Sequence, residues 1–187
     1  RCRGGRWRPV AALSGPRAAG CSAIVEDEDG QPEMWVMGGH DGRKYLATVE
    51  AYNPRTNAWR SCLPMSHRRM DAVAGVVGGR LVVAGGYGGG DLFTSVEAYS
   101  PTGWSPLPPL PHAAGGATAC VLNGRLYVMG GLGCNKLQVL EWSEEHGFSW
   151  TVEADTPGAR YLATSAAFDG KLWSMGGFGA RSGAVTT

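Results

Sequence analysis

The chain has 187 residues, 43% of them hydrophobic and 18% charged, which is enough length and apolar content to bury a core and excludes a disordered segment. Seventeen basic against 16 acidic residues leave a net charge of +1, which argues against a nucleic-acid protein held mainly through phosphates. No apolar run approaches membrane-spanning length, and 30 glycines suit many tight turns rather than helices.

The five cysteines are Cys2, Cys21, Cys62, Cys120 and Cys134. Their number is odd and no two share a C-x-x-C spacing, so they read as free thiols of a reducing, cytoplasmic compartment. The first residues, 1–6, show neither a Met nor an apolar stretch. No signal peptide is read there, and the chain is expected to begin inside a longer protein.

In chain order, Trp7-Arg8-Pro9 matches Trp59-Arg60-Ser61 and Trp104-Ser105-Pro106, so 6–15 is expected to be the last strand of a preceding unit. The segment 16–66 opens with a small apolar strand at 18–25 and an acidic turn from Glu26 to Glu33. A second strand follows at 34–37, a polar loop at 40–44, an alternating strand at 47–52, a turn at 53–57 and a strand starting near Trp59. Segment 67–111 repeats the plan, with Gly78-Gly79 as a two-residue hairpin turn. Segment 112–157 repeats it with Asn123-Gly124, and aligns Val139-Leu140-Glu141-Trp142 with the Val-Glu-Ala-Tyr of 49–52 and 96–99. Segment 158–187 turns at Asp169-Gly170 and stops where its third strand is due.

A glycine doublet organises these units: Gly38-Gly39, Gly85-Gly86, Gly130-Gly131 and Gly176-Gly177, at intervals of 47, 45 and 46 residues. Four short strands per unit without helical periodicity define one blade of a β-propeller. The doublets read as structural, because glycine permits positive φ and close backbone approach, and no Lys-Ser or Lys-Thr follows to make a phosphate loop. Trp59, Trp104, Trp150, Tyr52, Tyr99 and Trp142 recur in every unit, which assigns them to an inter-blade core.

The doublet, followed by a Tyr and a Trp and preceded by an Arg, resembles the kelch repeat. The stretch 49–59 followed by Met65-Ser66-His67-Arg68-Arg69 is similar to the kelch-like, BTB-BACK-kelch, proteins. The resemblance implies an all-β, kelch-type propeller of four-stranded antiparallel blades, about four here and an incomplete ring. It also implies a protein-interaction module, the substrate-recognition part of a cullin ubiquitin-ligase adaptor. An actin-binding kelch protein and a kelch-type enzyme, a sugar oxidase or mutarotase acting at the axial mouth, are the alternatives.

Strand parity puts the loops before each first strand and between strands two and three on one face. In kelch-like proteins this face holds the partner. Arg17, Arg69 and Arg160 share one phase, each 16 residues ahead of its doublet once a five-residue insertion in the first unit is removed. Together with His40, Asp41, Arg43, Tyr87, Tyr161 and Phe178 they form the candidate partner-binding set, suited to a protein or an acidic peptide. The same arginines have a structural alternative, bonding carbonyls or neighbouring carboxylates. Nucleic acid and membrane are not expected partners. His40, His67, His112 and His146 lack metal-ligand spacing, and no Gly-x-Ser-x-Gly elbow occurs, so no catalytic residue, metal or cofactor is assigned and a non-enzyme is expected.

Overall fold

The computed structural model describes residues 7–179. Every regular element among them is a β-strand. The third strand expected within 182–187, like residues 1–6, lies outside the described residues.

Strands β1 (Cys21–Glu26), β2 (Pro32–Met37), β3 (Val49–Asn53) and β4 (Ala58–Cys62) form an antiparallel sheet in sequence order. The second sheet uses β5 (Val73–Val77) and β6 (Arg80–Ala84). A two-residue ladder follows in the next loop, β7 (Tyr87–Gly88) with β8 (Asp91–Leu92), before β9 (Val96–Ser100) and β10 (Gly103–Leu107) complete that sheet. The third sheet is β11 (Thr118–Leu122), β12 (Arg125–Met129), β13 (Lys136–Ser143) and β14 (Gly147–Asp155). In the fourth unit β15 (Arg160–Tyr161) pairs with β18 (Phe178–Gly179), and β16 (Thr164–Phe168) pairs with β17 (Lys171–Met175). The first strands β1, β5, β11 and β16 pack against one another in succession, so they lie innermost and the sheets radiate as propeller blades. No helix in the described residues is long and apolar enough to cross a membrane.

The hairpin turns form where their residues demand. Gly78-Gly79 has φ of 55° and 71°, Asn123-Gly124 50° and 73°, and Asp169-Gly170 52° and 68°. Two consecutive positive φ values match the right-handed twist of the flanking strands.

The glycine doublets latch each blade to the next. Gly39 N donates to Arg69 O at 2.7 Å, Gly86 N to Ala114 O at 2.8 Å, and Gly131 N to Arg160 O at 2.7 Å. In the first three pairs the first glycine lies against the same carbonyl: a Cβ on Gly38 would collide with Arg69 O, one on Gly85 with Ala114 O, and one on Gly130 would stand 2.6 Å from Arg160 O. Only a residue without a side chain fits that approach.

The core between blades is chiefly aliphatic. Met37, Val49, Ala51, Met65, Leu81 and Val83 join Trp35 between the first and second sheets, and Val82, Leu126, Val128 and Leu140 lie between the second and third. Of the recurring aromatics, Tyr52 is buried, Tyr99, Trp104 and Trp150 are half-buried against these clusters, and Trp142 is exposed, so they flank an aliphatic centre rather than form it. Three of the indoles each pin the linker entering their blade. Trp59 Nε1 donates to Ala11 O, Trp104 Nε1 to Leu63 O and Trp150 Nε1 to Pro108 O, at 2.8–2.9 Å. Each acceptor follows a tryptophan of the preceding unit by four residues, so Trp7 holds the expected phase. Residues 7–13 nevertheless form no strand, and the expected fourth strand there is corrected.

Register also corrects the third repeat. Tyr52 faces Trp59 and Tyr99 faces Trp104, but Leu140, not Trp142, faces Trp150. Trp142 pairs with Phe148 two residues further out and is exposed. The expected acidic turn ends before Glu33, which is buried in β2 and held by Arg60 at 2.6 Å.

Candidate functional site

One backbone position recurs around the axis of the rim. Ala19, Asp71, Gly116 and Leu162 each lie two residues beyond the arginine phase, and each has positive φ, between 53° and 66°. They bond from blade to blade: Asp71 N to Ala19 O, Gly116 N to Asp71 O and Leu162 N to Gly116 O, at 2.7–3.0 Å. A second ring of positions follows each doublet. His40, Tyr87, Leu132 and Phe178 pair there with Ala18, Met70, Gly115 and Tyr161. Tyr161 and Phe178 stack with centroids 5.6 Å apart, and Tyr45 touches both His40 and Tyr87 edge-on.

The arginines do not all serve this surface. The side chain of Arg69 has 0% relative exposure. Its Nη1 donates to Gly85 O at 2.6 Å and Ser95 O at 3.0 Å, and its Nη2 to Ser95 Oγ and Glu97 Oε1. Arg17, 4% exposed, makes the same set of bonds to Gly38 O, Thr48 O, Thr48 Oγ1 and Glu50 Oε1. The partner-contact assignment of Arg17 and Arg69 is therefore corrected: each guanidinium caps a doublet carbonyl and a buried carboxylate inside its own blade. Arg160 keeps the phase, and its carbonyl receives Gly131 N.

The third blade solves the same site without charge. Ala114 replaces the arginine, and Gln138 holds the position of Glu50 and Glu97, two residues beyond the carbonyl that caps the first glycine. Gln138 Oε1 accepts His112 N at 2.8 Å and Nε2 donates to His112 O at 3.1 Å. An amide can both accept and donate, so the site needs no cation. The sequence alignment hid Gln138 by placing Leu140 opposite Glu50.

His40 and Asp41 serve their own loop. Asp41 Oδ1 accepts Arg43 N and Lys44 N, both at 2.8 Å, and these bonds hold its carboxyl below the ordinary carboxylate range. His40 Nδ1 accepts Gly42 N at 3.0 Å, so the two side chains form no acid–base pair with each other. Arg43 is exposed.

Between the second, third and fourth blades the rim opens into a cavity of about 350 Å³. Tyr87 and Tyr161, both expected at the site, line it together with Asp71, Leu92, Leu132 and Leu162. Asp71, Leu132 and Leu162 escaped the candidate set because these positions recur in place but not in residue type. Burial pushes the Asp71 carboxyl above its ordinary value. Among the described thiols, Cys21, Cys62, Cys120 and Cys134 are unpaired with one another, and burial pushes Cys21 up to about 12 and raises Cys62 and Cys120 as well.

Fold and site together define a β-propeller with kelch-type blades. The kelch motif family model matches residues 31–66 and 68–111. The Kelch repeat-containing protein kel-10 of Caenorhabditis elegans is 31% identical over 103 residues, 54% of this chain and 18% of that protein. Kelch-like protein 4 of Homo sapiens is 37% identical over 75 residues, 40% of this chain and 10% of that protein. The match thus spans less than a fifth of either relative. The structure of YjhT superposes with a TM-score of 0.71 at 15% identity, over 97% of this chain and 83% of that one. Residues 31–66 and 68–111 thus carry kelch motifs, and the chain resembles the kelch repeats of the kelch-like proteins. The expectation that it is not an enzyme is corrected: the likeness to YjhT, at 15% identity, shows the fold alone, and that fold gives no ground for excluding catalysis.

Proposed function

We propose that the axial rim, built from the loops before each first strand and between strands two and three, is the face on which a protein partner docks. We propose further that the parent protein is a cytoplasmic substrate-recruiting adaptor of a cullin ubiquitin ligase. The observation that carries the first reading is the ring after the doublets. His40, Tyr87, Leu132 and Phe178 occupy one backbone position in four blades, yet differ in type. Positions whose side chain, or lack of one, makes the contact repeat their residue, as the doublets and tryptophans do, whereas bonds made by the backbone alone, such as Asp71 N to Ala19 O, leave the residue free to vary. Positions that meet an asymmetric partner have no reason to repeat. The acidic-peptide form of this reading leaned on Arg17 and Arg69, which are engaged inside the blades, so it loses that support. Likeness to kelch-like proteins supports the adaptor reading.

The test is affinity purification of the full-length parent protein from cells, read by quantitative mass spectrometry. Tyr87→Ala combined with Tyr161→Ala should deplete the recruited protein, while Arg55→Ala on the opposite face should not. A cullin should be recovered equally with all three proteins, because its contact lies outside this domain. Equal recovery of all recruited proteins would overturn the rim assignment, and absence of any cullin would overturn the adaptor reading.

A further inference from the structure

The cavity at the axial mouth has a definite chemistry. Asp71, Tyr87, Tyr161, Leu92, Leu132 and Leu162 line it, and Asp71 is the sole carboxylate or cation among the described lining residues. At about 350 Å³ it sits at the small end of ligand pockets, roughly 300–1,000 Å³, which suits one side chain rather than a whole ligand. Asp71 is fixed by its backbone on both sides, through its N–H to Ala19 O and its carbonyl from Gly116 N. No hydrogen bond or ion pair engages its carboxylate among the described residues. Three cations of the rim loops are engaged with other carboxylates: Arg17 with Glu50, Arg69 with Glu97, and Lys136 with Asp155 at 2.7 Å.

We propose that this mouth receives a basic side chain, arginine or lysine, carried by the docked protein partner, with the cation on Asp71 and the stem against Tyr87, Tyr161 and the leucines. The inference rests on the rim being the partner face, and it adds the sign of the charge that the face selects. A half-buried carboxylate without a partner gains more from an arriving cation than an exposed one does, because little water is left to compete. Tyrosine faces add attraction for the same cation, and leucines take the aliphatic stem. An acidic side chain entering here would meet like charge and no donor cation.

The experiment selects phage-displayed random short peptides on the immobilised full chain, then titrates the synthetic peptides into ¹⁵N-labelled protein. Peptides carrying Arg or Lys are expected, shifting the amides of Gly115, Gly116 and Leu162. Replacing the peptide's Arg by citrulline, an uncharged isostere, should weaken binding about tenfold or more, the scale of a charge-assisted hydrogen bond. Asp71→Asn should weaken it to a similar degree, and Asn accepts the positive φ of this position as readily as Asp. Peptides that shift the same amides but are acidic, or are indifferent to citrulline and to Asp71→Asn, overturn this inference and leave the rim reading standing. Peptides that shift only distant amides, or no peptide recovered, overturn both.

Discussion

Arg69 and Glu97 meet at 2.8 Å with side-chain exposures of 0% and 4%, while the third blade places Ala114 and Gln138 at the same two positions. The pair and its neutral counterpart do one job, which is to tie the loop before a first strand to the start of the third strand. A buried charge is tolerated only with its partner, so the two positions change together.

Removing one member alone is therefore costly. Arg69→Ala should destabilise the domain by about 3–5 kcal/mol, since it strands a buried carboxylate. Arg69→Ala with Glu97→Gln imitates the third blade and should recover a large part of that loss. Urea unfolding midpoints read both. A double variant no more stable than Arg69→Ala would show that the third-blade solution depends on something besides these two residues.

Acid should loosen the first blade. Burial alone would raise the Glu50 carboxyl, but the Ser14 N–H and the Arg17 guanidinium outweigh it and hold it below its ordinary value. A folded-state value below the unfolded one means that the stabilisation is complete above the unfolded value, about 4.3, and is lost as pH falls through the folded value. Melting temperature should fall as pH drops below roughly 4.3, and Glu50→Gln should make that fall shallower. Asp41 and Asp155 are also held low, but they are exposed, and solvent screens their contribution. An unchanged acid slope in Glu50→Gln would contradict the assignment.

The doublet glycines should separate backbone conformation from close approach. Gly89 has φ of 67° with nothing within 4 Å of a built Cβ, whereas Gly85 has φ of 65° and a Cβ there would collide with Ala114 O. Gly89→Ala should cost only the left-handed penalty, about 1–2 kcal/mol. Gly85→Ala should cost clearly more, because the Ala114 carbonyl must move and its bond from Gly86 N is disturbed. Equal costs in thermal denaturation would remove the latch from the account.

The half-buried tryptophans should act largely through their N–H. Trp104→Phe keeps much of the apolar contact but leaves Leu63 O without its indole donor, and should cost about 0.5–1.5 kcal/mol. Stability of Trp104→Phe equal to the parent would make the linker bond incidental.

Much of the fold was readable because it repeats. Asn123-Gly124 and Asp169-Gly170 name their turn type, and the doublet spacing gives the blade. The arginine phase was readable too, yet phase places a Cα and not a side chain. The direction of Arg69 is decided by Gly85 O and Glu97, acceptors that appear only once β9 is laid beside β6. The recurrence that made the tryptophans structural applied equally to the arginines. The third repeat was misaligned because β13 runs longer than its sisters, with a register irregularity between Lys136 and Gln138, and its aromatic Trp142 resembles the missing Tyr. Asp71 left no signal, since its counterparts are Ala19, Gly116 and Leu162.

Two exposed phenylalanines offer the most direct measurement of where the partner docks. Phe178 lies on the rim with 56% exposure, and Phe168 lies at the opposite end of the fourth blade, beside the Asp169-Gly170 turn, with 70%. Each can be replaced by the photo-crosslinker benzoylphenylalanine with little disturbance to the core. Irradiation in cells followed by mass spectrometry should give specific protein adducts from position 178 and none above background from position 168. Adducts concentrated at position 168 would contradict the rim as the interaction face.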